Sequence, residues 1–356
     1  MNDTQQFTAI GIMSGTSLDG LDLAYCTFEI NEPKNFSIVR AETLPYSIEW
    51  LELLKMAGRT SSLQLAKIHA DYARMVADLV NKFIVKNKLP APDILAFHGH
   101  TLFHRPDLGF TFQLGSGSVL AAQTGIDTVS DFRSGNVAIG GQGAPLVPIG
   151  DANLFGQYDA CLNLGGFGNI SYHRQKKLIA FDICPVNMAL NEWASKKRLP
   201  YDKDGVLASK GKVHETTLDA LNNLSFYKKI PPKSLGREWY EECFRPVLKI
   251  AALSVEDTLA TICAHVGHQV ANSFQDNSIK TILATGGGAH NRFLIKTIAA
   301  NCSAKLIVPE SEITDFKEAL TFAFLGLLRV QQKPNCLSSY SGSEHDHCAG
   351  TLHLGR

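Results

Sequence analysis

The stretch GIMSGTSLDGLDLAYCTF, residues 11–28, places a polar segment rich in Gly, Ser and Thr between two apolar runs. The runs FTAIGIM and LDLAYCTF have the composition and alternation of β-strands, so together they predict a hairpin. A hairpin needs only a two-residue turn. Here the six residues from Ser14 to Asp19 lie between the first run and Gly20. Inward-turned N–H groups and hydroxyls in such a loop form a concavity that suits an anion, above all phosphate. An ordinary glycine-rich surface loop is the alternative. The donors would come from Ser14, Gly15, Thr16, Ser17 and Gly20.

Bulk properties narrow the class of protein. A chain of 356 residues predicts about two domains. Lys plus Arg and Asp plus Glu both number 34, and this zero net charge argues against nucleic acid or an anionic membrane as the main partner. There is no secretory signal, no apolar run of membrane-spanning length and no C-x-x-C spacing among the eight cysteines. We therefore expect a cytoplasmic protein with free thiols.

Familiar nucleotide and hydrolase motifs are absent from the sequence. It contains no G-x-x-x-x-G-K-[ST] loop, no G-x-G-x-x-G opening a helix and no G-x-S-x-G elbow. A phosphate would therefore be bound in another way. The segment EHDHC, residues 344–348, resembles a metal cluster, but its adjacent positions cannot readily surround one ion, so we interpret it as a polar loop.

The first lobe extends from the opening hairpin to about residue 128. Residues 62–87 have apolar positions at three- and four-residue spacing and predict a long amphipathic helix. The segment DILAFHGH predicts a short buried strand that carries His98 and His100 at its end. The Gly- and Pro-rich residues 129–148 are typical of a segment between two lobes.

Two further glycine-rich segments follow. ACLNLGGFGNISYH, residues 160–173, repeats the strand–turn–strand pattern of the opening stretch. KTILATGGGAHNRFLIKTIAA, residues 280–300, predicts instead a buried strand, a turn at Gly286–Gly288 and a helix from near Asn291. Glycines at a strand-to-helix turn let a flat ligand or a phosphate approach the backbone and the positive helix end.

Three glycine-rich turns in this order resemble the superfamily of sugar kinases, actin and heat-shock chaperone ATPases. Within this superfamily, the amino-acid sequence of the chain resembles the anhydro-N-acetylmuramic acid kinase family over nearly its whole length. The resemblance rests on these blocks: GIMSGTSLDGLD, HGHTLFHRP, TFQLGSGSVLAAQTG, DFRSGNVAIGGQGAPLVP, LNLGGFGNIS, FDICPVN, YDKDG, PPKSLGREWY, ATGGGAHN and EALTFAFLG.

The resemblance implies an α/β, two-lobed actin-like ATPase fold, with a mixed sheet flanked by helices in each lobe and ATP in the cleft between them. Residues 1–128 plus 340–356 would form the N-terminal lobe, with the first phosphate hairpin and part of the sugar site. Residues 129–339 would form the C-terminal lobe, with the second hairpin, the catalytic Asp and the adenosine turn. Enzymes of this kind are commonly homodimers.

The family reaction opens the anhydro bridge of the sugar with water while ATP phosphorylates the freed 6-oxygen, a step in the recycling of cell-wall sugars. A carboxylate suits the activation of water, and Mg²⁺ with backbone donors suits the transferring phosphate. Asp182 falls on the position of the family's catalytic Asp, although its place before a helix also fits an N-terminal cap. Asp19 is the expected Mg²⁺ partner, directly or through water, and a turn Asp bonded to its own backbone is the alternative.

The remaining site residues follow from the same blocks. Arg133 would bind the substrate carboxylate, with a surface ion pair to Asp131 as the alternative. Without the family, His98 would be a hydrogen-bonded structural residue and Glu318 a helix N-terminal residue. The expected sugar contacts are Asp22, His98, Arg133, Gln142 and Glu318. The expected ATP contacts are Ser14, Gly15, Thr16, Ser17, Leu18, Asp19, Gly20, Leu21, Gly165, Gly166, Gly286, Gly287 and Gly288.

The chain departs from the family pattern close to these residues. The family usually has Gln at His100, Asp at Asn136, and Gly-Pro-Gly-Asn where this chain has Cys184-Pro185-Val186-Asn187, preceded by Ile183. Two other functions therefore stay open: a kinase for a different sugar, and an ATP-binding sensor without kinase turnover. Release of ADP with and without the anhydro sugar distinguishes them.

Overall fold

The computed structural model describes residues 6–15, 18, 20–231, 233–274 and 279–355. The chain forms two compact units, Met1–Gly156 with Phe316–Arg356 and Gln157–Asp315. The strands are β1 Gln6–Ser14, β2 Leu21–Glu29, β3 Phe36–Leu44, β4 Ile94–Arg105, β5 Phe110–Leu114, β6 Thr128–Ser130, β7 Ala160–Leu164, β8 Phe167–Arg174, β9 Lys177–Pro185, β10 Thr281–Thr285, β11 Lys305–Ile307 and β12 Thr351–His353.

The α-helices are α1 Ile48–Met56, α2 Ser62–Lys86, α3 Gly117–Thr124, α4 Ser134–Ala138, α5 Pro148–Leu154, α6 Asn187–Ser195, α7 Glu215–Asn222, α8 Arg237–Trp239, α9 Arg245–Ala251, α10 Val255–Ser273, α11 Arg292–Asn301, α12 Ser311–Val330 and α13 Ser338–Ser341. A π-helical turn, Tyr240–Phe244, joins α8 to α9. The predicted long helix is confirmed as α2, whose buried residues recur at the expected spacing (Ile68, Tyr72, Ala73, Val76, Ala77, Val80 and Phe83).

The sheet of the first unit has the strand order β12-β6-β4-β1-β2-β3, and β5 pairs with β4. The predicted opening hairpin is confirmed, because β1 and β2 pair antiparallel from Gln6–Glu29 to Ser14–Leu21. Strand β3 continues this antiparallel meander, whereas β4 lies parallel to β1 and β6 parallel to β4. The core packs α2 against β1, β2 and β4.

The sheet of the second unit repeats this arrangement. Its order is β11-β10-β7-β8-β9, with β7, β8 and β9 antiparallel and with β10 and β11 parallel to β7. The five strands β3-β2-β1-β4-β6 thus have the same order and directions as β9-β8-β7-β10-β11. The predicted fold class, two α/β lobes of actin-like type with a mixed sheet in each, is confirmed by this repeated topology.

The unit boundaries fall at Gly156 and Phe316, whereas the sequence placed them at residues 128 and 340. Residues 129–148 belong to the first unit because β6 extends its sheet beside β4. Residues 316–330 of α12 also belong to it, because the helix backbone at Ala319 closely approaches Gly11 of β1 and Gly326 packs on Ile94 of β4. The interpretation of residues 129–148 as an inter-lobe segment is therefore wrong.

Strand β4 is longer than the sequence indicates. It extends to Arg105 because β5 pairs with it from His100 onward. His98 and His100 consequently lie within the strand, not at its end, and both are buried.

Candidate functional site

The first glycine-rich turn joins β1 to β2. Ser14 pairs with Leu21, the buried first residue of β2. Between them, Leu18 has a φ of 61° and its N–H donates to the carbonyl of Gly15 over 3.3 Å. Gly20 closely approaches β3, where an added Cβ would lie 2.7 Å from a backbone carbonyl oxygen. Three predicted ATP contacts lie outside the described residues: Thr16, Ser17 and Asp19.

Ser14 directs its hydroxyl into the protein. Its Oγ lies 2.7 Å from the Tyr46 hydroxyl and 2.9 Å from Nδ1 of His100. The Tyr46 hydroxyl also lies 2.7 Å from that of Tyr72. Burial lowers the pKa of His100 to about 4, so its imidazole is neutral in this network at neutral pH. Ser14 therefore anchors the start of the turn, and its hydroxyl is engaged within the protein.

The second and third glycine-rich turns meet inside the second unit. Gly286 has a φ of 82°, and an added Cβ would overlap Oδ1 of Asn163 at the end of β7. An added Cβ on Gly288 would lie 2.8 Å from that of Leu164. Asn187, the first residue of α6, donates its side-chain amide to the Leu164 carbonyl over 2.9 Å. The two predicted turns thus form one surface.

The start of α6 is fixed to the second turn by backbone hydrogen bonds. The carbonyl of Gly165 accepts the N–H of Asn187 over 3.1 Å. The carbonyl of Gly166 accepts from Val186 over 2.9 Å and from Met188 over 3.2 Å. Gly166 and Gly287 themselves are exposed, so both are accessible to a ligand.

A cavity of about 760 Å³ opens beside this surface. Gly287 and Asn187 line it together with Lys203, Asp204 and Arg292. Its volume is in the range of small-molecule sites. Sequence reasoning assigned no role to the last four residues. The block YDKDG, which contains Lys203 and Asp204, was the available signal.

Asp182 lies within β9, three residues before its end. Its Oδ2 accepts the N–H of Leu235 over 2.8 Å, and its own N–H donates to the Lys233 carbonyl over 3.1 Å. The residue is half-buried, and burial raises its pKa to about 6 while the Leu235 hydrogen bond opposes that rise. The cap of α6 is Val186, without a side-chain hydrogen bond, so the alternative of Asp182 as a helix cap is wrong.

The segment that holds Asp182 is itself fixed by Lys233. The Lys233 ammonium lies 4.8 Å from the ring centroid of Phe226 and 5.7 Å from that of Phe181. Such cation–π contacts hold a lysine side chain over an aromatic face. Lys233 and Leu235 are 51 and 53 residues from Asp182 in the sequence, and no local pattern connects them.

Several predicted sugar contacts meet in the first unit. Arg133 donates from Nε to Nε2 of His98 over 3.0 Å and from Nη1 to the Gly143 carbonyl over 2.7 Å. Burial lowers the pKa of Arg133 to about 10, and the nearby charge of Glu318 opposes that shift. Arg133 therefore remains a cation at neutral pH. No ion pair joins Arg133 to Asp131, the alternative considered above, in the part of the chain that the structure describes.

The other predicted sugar contacts are placed as follows. Gln142 is exposed and precedes Gly143, and its N–H donates to the Ser341 carbonyl over 2.8 Å. Glu318 is half-buried and lies two turns inside α12, so the interpretation as a helix N-terminal residue is wrong. Asp22 accepts a 2.6 Å hydrogen bond from Thr43 on β3.

The residues that depart from the family pattern are buried. Asn136 accepts from the Gly143 N–H over 2.7 Å and donates to the Ser341 hydroxyl over 3.0 Å. It therefore supports the loop that carries Gln142. Ile183, Cys184 and Val186 belong to the core of the second unit.

The described residues were also compared with what a metal site and a membrane-spanning helix require. Among the described residues, no group of three or more His, Cys, Asp or Glu side chains could hold a metal ion. In the segment EHDHC, Asp346 accepts hydrogen bonds from the N–H and hydroxyl of Ser338. Within the same described ranges, none of the helices is both long enough and apolar enough to span a membrane.

The repeated sheet topology and the glycine-rich turns between first and second strands define the class, an actin-like ATPase fold of the sugar-kinase type. Residues 7–354 match the family model described as anhydro-N-acetylmuramic acid kinase. The chain belongs to this family. The predicted family and the predicted enzyme class, a phosphotransferase, are thereby confirmed, and ATP is the phosphoryl donor that the family implies.

Curated relatives agree over nearly their full length. An anhydro-N-acetylmuramic acid kinase of Zymomonas mobilis is 37% identical, covering 97% of this chain and 99% of the relative. Enzymes of the same name from Mannheimia succiniciproducens and Haemophilus influenzae are each 34% identical, with 96% of this chain covered in both cases and 98% and 97% of the relatives.

Solved structures similar to the chain are distant. The component A of (R)-2-hydroxyglutaryl-CoA dehydratase from Acidaminococcus fermentans has a TM-score of 0.46 at 13% identity, covering 89% of this chain and 96% of that one. A glucokinase of the ROK family from Streptomyces griseus, in complex with glucose and AMPPNP, has a TM-score of 0.40 at 10% identity, covering 89% and 98%. At these values the likeness does not bear on function.

Proposed function

We propose that the chain converts 1,6-anhydro-N-acetylmuramic acid, water and ATP to N-acetylmuramic acid 6-phosphate and ADP. Membership of the family over residues 7–354 supports the reaction class. The observation that carries the proposal is the state of Asp182, a half-buried carboxylate whose pKa is raised to about 6. A general base works best when its pKa lies near the operating pH.

Asp182 would take a proton from the water that attacks the anomeric carbon. As the new C1–O bond forms, the C1–O6 bond of the anhydro bridge breaks. The freed 6-oxygen then attacks the γ-phosphorus of ATP, and ADP leaves. At neutral pH a group with a pKa of about 6 is mostly ionised, yet it is more basic than an ordinary carboxylate. The N–H of Leu235 orients one oxygen and leaves the other for water.

ATP binding is assigned to the three glycine-rich turns. In the second unit, exposed Gly166 and Gly287 and the cavity beside them support a site for the nucleotide. Lys203, Arg292 and Lys296 also line that cavity; Arg292 pairs with Asp204 over 3.3 Å, and the two lysines carry charge opposite to that of phosphate. In the first unit, the turn from Gly15 to Leu21 would contribute backbone donors.

Sugar binding is assigned to the cluster around Arg133. The guanidinium uses Nε and Nη1 within the protein, so Nη2 remains to meet the lactyl carboxylate of the substrate. Burial, and after it the nearby charge of Arg133, lowers the pKa of the His98 imidazole well below its usual value, so the imidazole is a fixed acceptor for that cation. Gln142, Glu318 and Asp22 would contact hydroxyl or amide groups of the sugar.

Mg²⁺ is proposed as the metal that accompanies ATP. Protein Mg²⁺ sites commonly use one or two carboxylates together with substrate phosphates and water. The lack of a three-ligand group among the described residues fits such a phosphate-held ion better than a cage made by the protein. Asp19, which lies outside those residues, is the proposed partner, and when bound the ion would neutralise charge on the transferring phosphoryl group.

The eight cysteines are free, which fits the proposed location in the cytoplasm. A homodimer is the oligomeric state we propose.

The test is Asp182→Asn, measured as sugar-dependent ADP release. Loss of the basic group should lower turnover at least about 10²-fold, or about 2.7 kcal/mol of barrier, with ATP binding retained. The matched control is Asp219→Asn, because Asp219 is exposed. Asp151→Asn would not serve as a control, because Asp151 pairs with buried Lys317. Near-normal turnover in Asp182→Asn would overturn the assignment. ADP release that ignores the sugar would favour the sensor.

A further inference from the structure

A second cavity lies in the second unit, away from the glycine-rich turns. Its volume is about 950 Å³, and it shares no lining residue with the cavity beside Gly287. It is bounded by the ends of β8 and α10, by the middle of β9 and by the segment that leads to Lys233. We refer to it as the β8–β9 cavity.

The charged residues that the structure describes around the β8–β9 cavity all have one sign. Arg174, Lys228, Lys229 and Lys233 line it, and none of the described lining residues is Asp or Glu. Arg174 lies at the end of β8, whereas Lys228, Lys229 and Lys233 lie in the segment after α7, so the charge is not that of one surface run. In the described part of the chain, no ion pair joins any of the four to a carboxylate. Uncompensated cations around a concave surface concentrate positive potential there.

The cavity also has an apolar wall. Tyr172, Phe181 and Phe274 line it, and the Tyr172 ring lies 6.4 Å from that of Phe181 and 6.1 Å from that of Phe274. Rings in contact at these distances form a continuous aromatic surface. A ligand that combines an anionic group with a flat or cyclic apolar part would match both walls.

The neutral polar groups of the cavity favour a ligand that accepts hydrogen bonds. The Oδ1 of Asn222 accepts from Nε2 of Gln269 over 2.9 Å and from Nδ1 of His265 over 2.7 Å. His265 can donate there because its Nε2 accepts from the Tyr227 hydroxyl over 2.8 Å. The Oδ1 of Asn222 therefore already accepts two hydrogen bonds. The side-chain NH₂ group of Asn222 is the part that can donate to a ligand.

We propose that the β8–β9 cavity binds an organic phosphate, a phosphate monoester of a ring compound of about nucleotide size. A dianionic phosphate can contact several of the four cations around this cavity at once. The ring of the ligand would pack on the aromatic wall. The volume is within the range of small-molecule sites. This site is distinct from the nucleotide site proposed above and does not depend on that proposal.

The test measures binding by isothermal titration calorimetry on the full chain, with 1-naphthyl phosphate and inorganic phosphate as probes. The 1-naphthyl phosphate should bind at least tenfold more tightly, because it adds a ring for the aromatic wall. The double variant Arg174→Ala with Lys229→Ala should weaken its binding at least tenfold, and Arg174→Lys with Lys229→Arg should restore it. Both residues are exposed, so the fold should survive, and thermal melting checks this.

Two controls separate this site from others. Lys249→Ala removes an exposed lysine of the same unit that does not line the cavity, and binding should be unchanged. Gly287→Val obstructs the proposed nucleotide site, and binding should again be unchanged. Loss of binding in Gly287→Val alone, or equal loss in Lys249→Ala, would overturn the proposal. Equal affinities for the two probes would overturn the assignment to an organic phosphate.

Discussion

The Nε of Arg133 donates to Nε2 of His98 over 3.0 Å, which places the imidazole proton on Nδ1, where the Gly99 carbonyl lies 2.8 Å away. The tautomer of His98 is thus defined by its two neighbours, and the guanidinium is held with one edge inward. A buried cation held in this way can present its remaining N–H groups to an anionic substrate in a fixed direction.

Arg133→Lys should raise the KM for the anhydro sugar at least about tenfold, because an ammonium keeps the charge but cannot bond His98, Gly143 and a carboxylate together. The KM for ATP should be unchanged. Steady-state ADP release checks both values. Arg40→Lys is the control, since Arg40 is exposed and pairs with Glu42. An unchanged sugar KM would contradict the role of Arg133.

Asp182→Asn should stabilise the fold at neutral pH. The pKa of Asp182 is raised from 3.8 to about 6, so ionisation in the folded state costs up to about 3 kcal/mol. A raised carboxyl pKa favours folding at acid pH, and this contribution is lost as pH rises from about 4 through about 6. The melting temperature of the variant should therefore exceed that of the parent at pH 7.5, with a smaller difference at pH 4.5. The same difference at both values would contradict the ionised state of Asp182.

His265→Gln should reduce the acid sensitivity of the second unit. Burial lowers the pKa of His265 to about 3, so the neutral imidazole contributes stability above pH 6.5 that is lost as pH falls through that value toward about 3. Urea unfolding midpoints measured between pH 7.5 and pH 4 should fall less steeply in the variant, although it starts lower because the bonds to Asn222 and Tyr227 are altered. His173→Gln, at an exposed histidine on β8, should keep the slope of the parent.

Gly287→Val and Gly286→Ala should separate ligand binding from folding. The atom nearest to a Cβ on Gly287 is 3.4 Å away, so this exposed position accepts a side chain and the melting temperature should change little. The added methyl groups would enter the cavity beside it, and the KM for ATP should rise at least about tenfold. Gly286→Ala meets Asn163 at a φ of 82° and should lower the melting temperature. Unchanged ATP affinity in folded Gly287→Val would remove this turn from the nucleotide site.

The parts of the fold that local patterns determine were predictable. The opening hairpin, α2 and the strand–turn–helix around Gly286 all follow from periodicity and from glycine placement within short windows. Both units have the same strand order, but in the sequence this repeat is indicated only by two similar glycine-rich hairpins. Two sheets can share a topology without sharing the residues that form it.

The parts determined by distant contacts were not predictable. Strand β4 extends past His100 because β5 pairs with it, and Glu318 lies inside α12 because that helix begins at Ser311. The partners of Asp182 lie beyond residue 230, and the Ser14 hydroxyl is occupied by Tyr46 and His100. The resemblance supplied residue types for the site, whereas hydrogen bonding and pKa depend on neighbours that only the folded chain brings together.

Lys233 connects the β8–β9 cavity to Asp182. Lys233 lines the β8–β9 cavity, and its carbonyl accepts the N–H of Asp182. An anion bound in that cavity would therefore contact the same residue whose backbone holds Asp182 in β9.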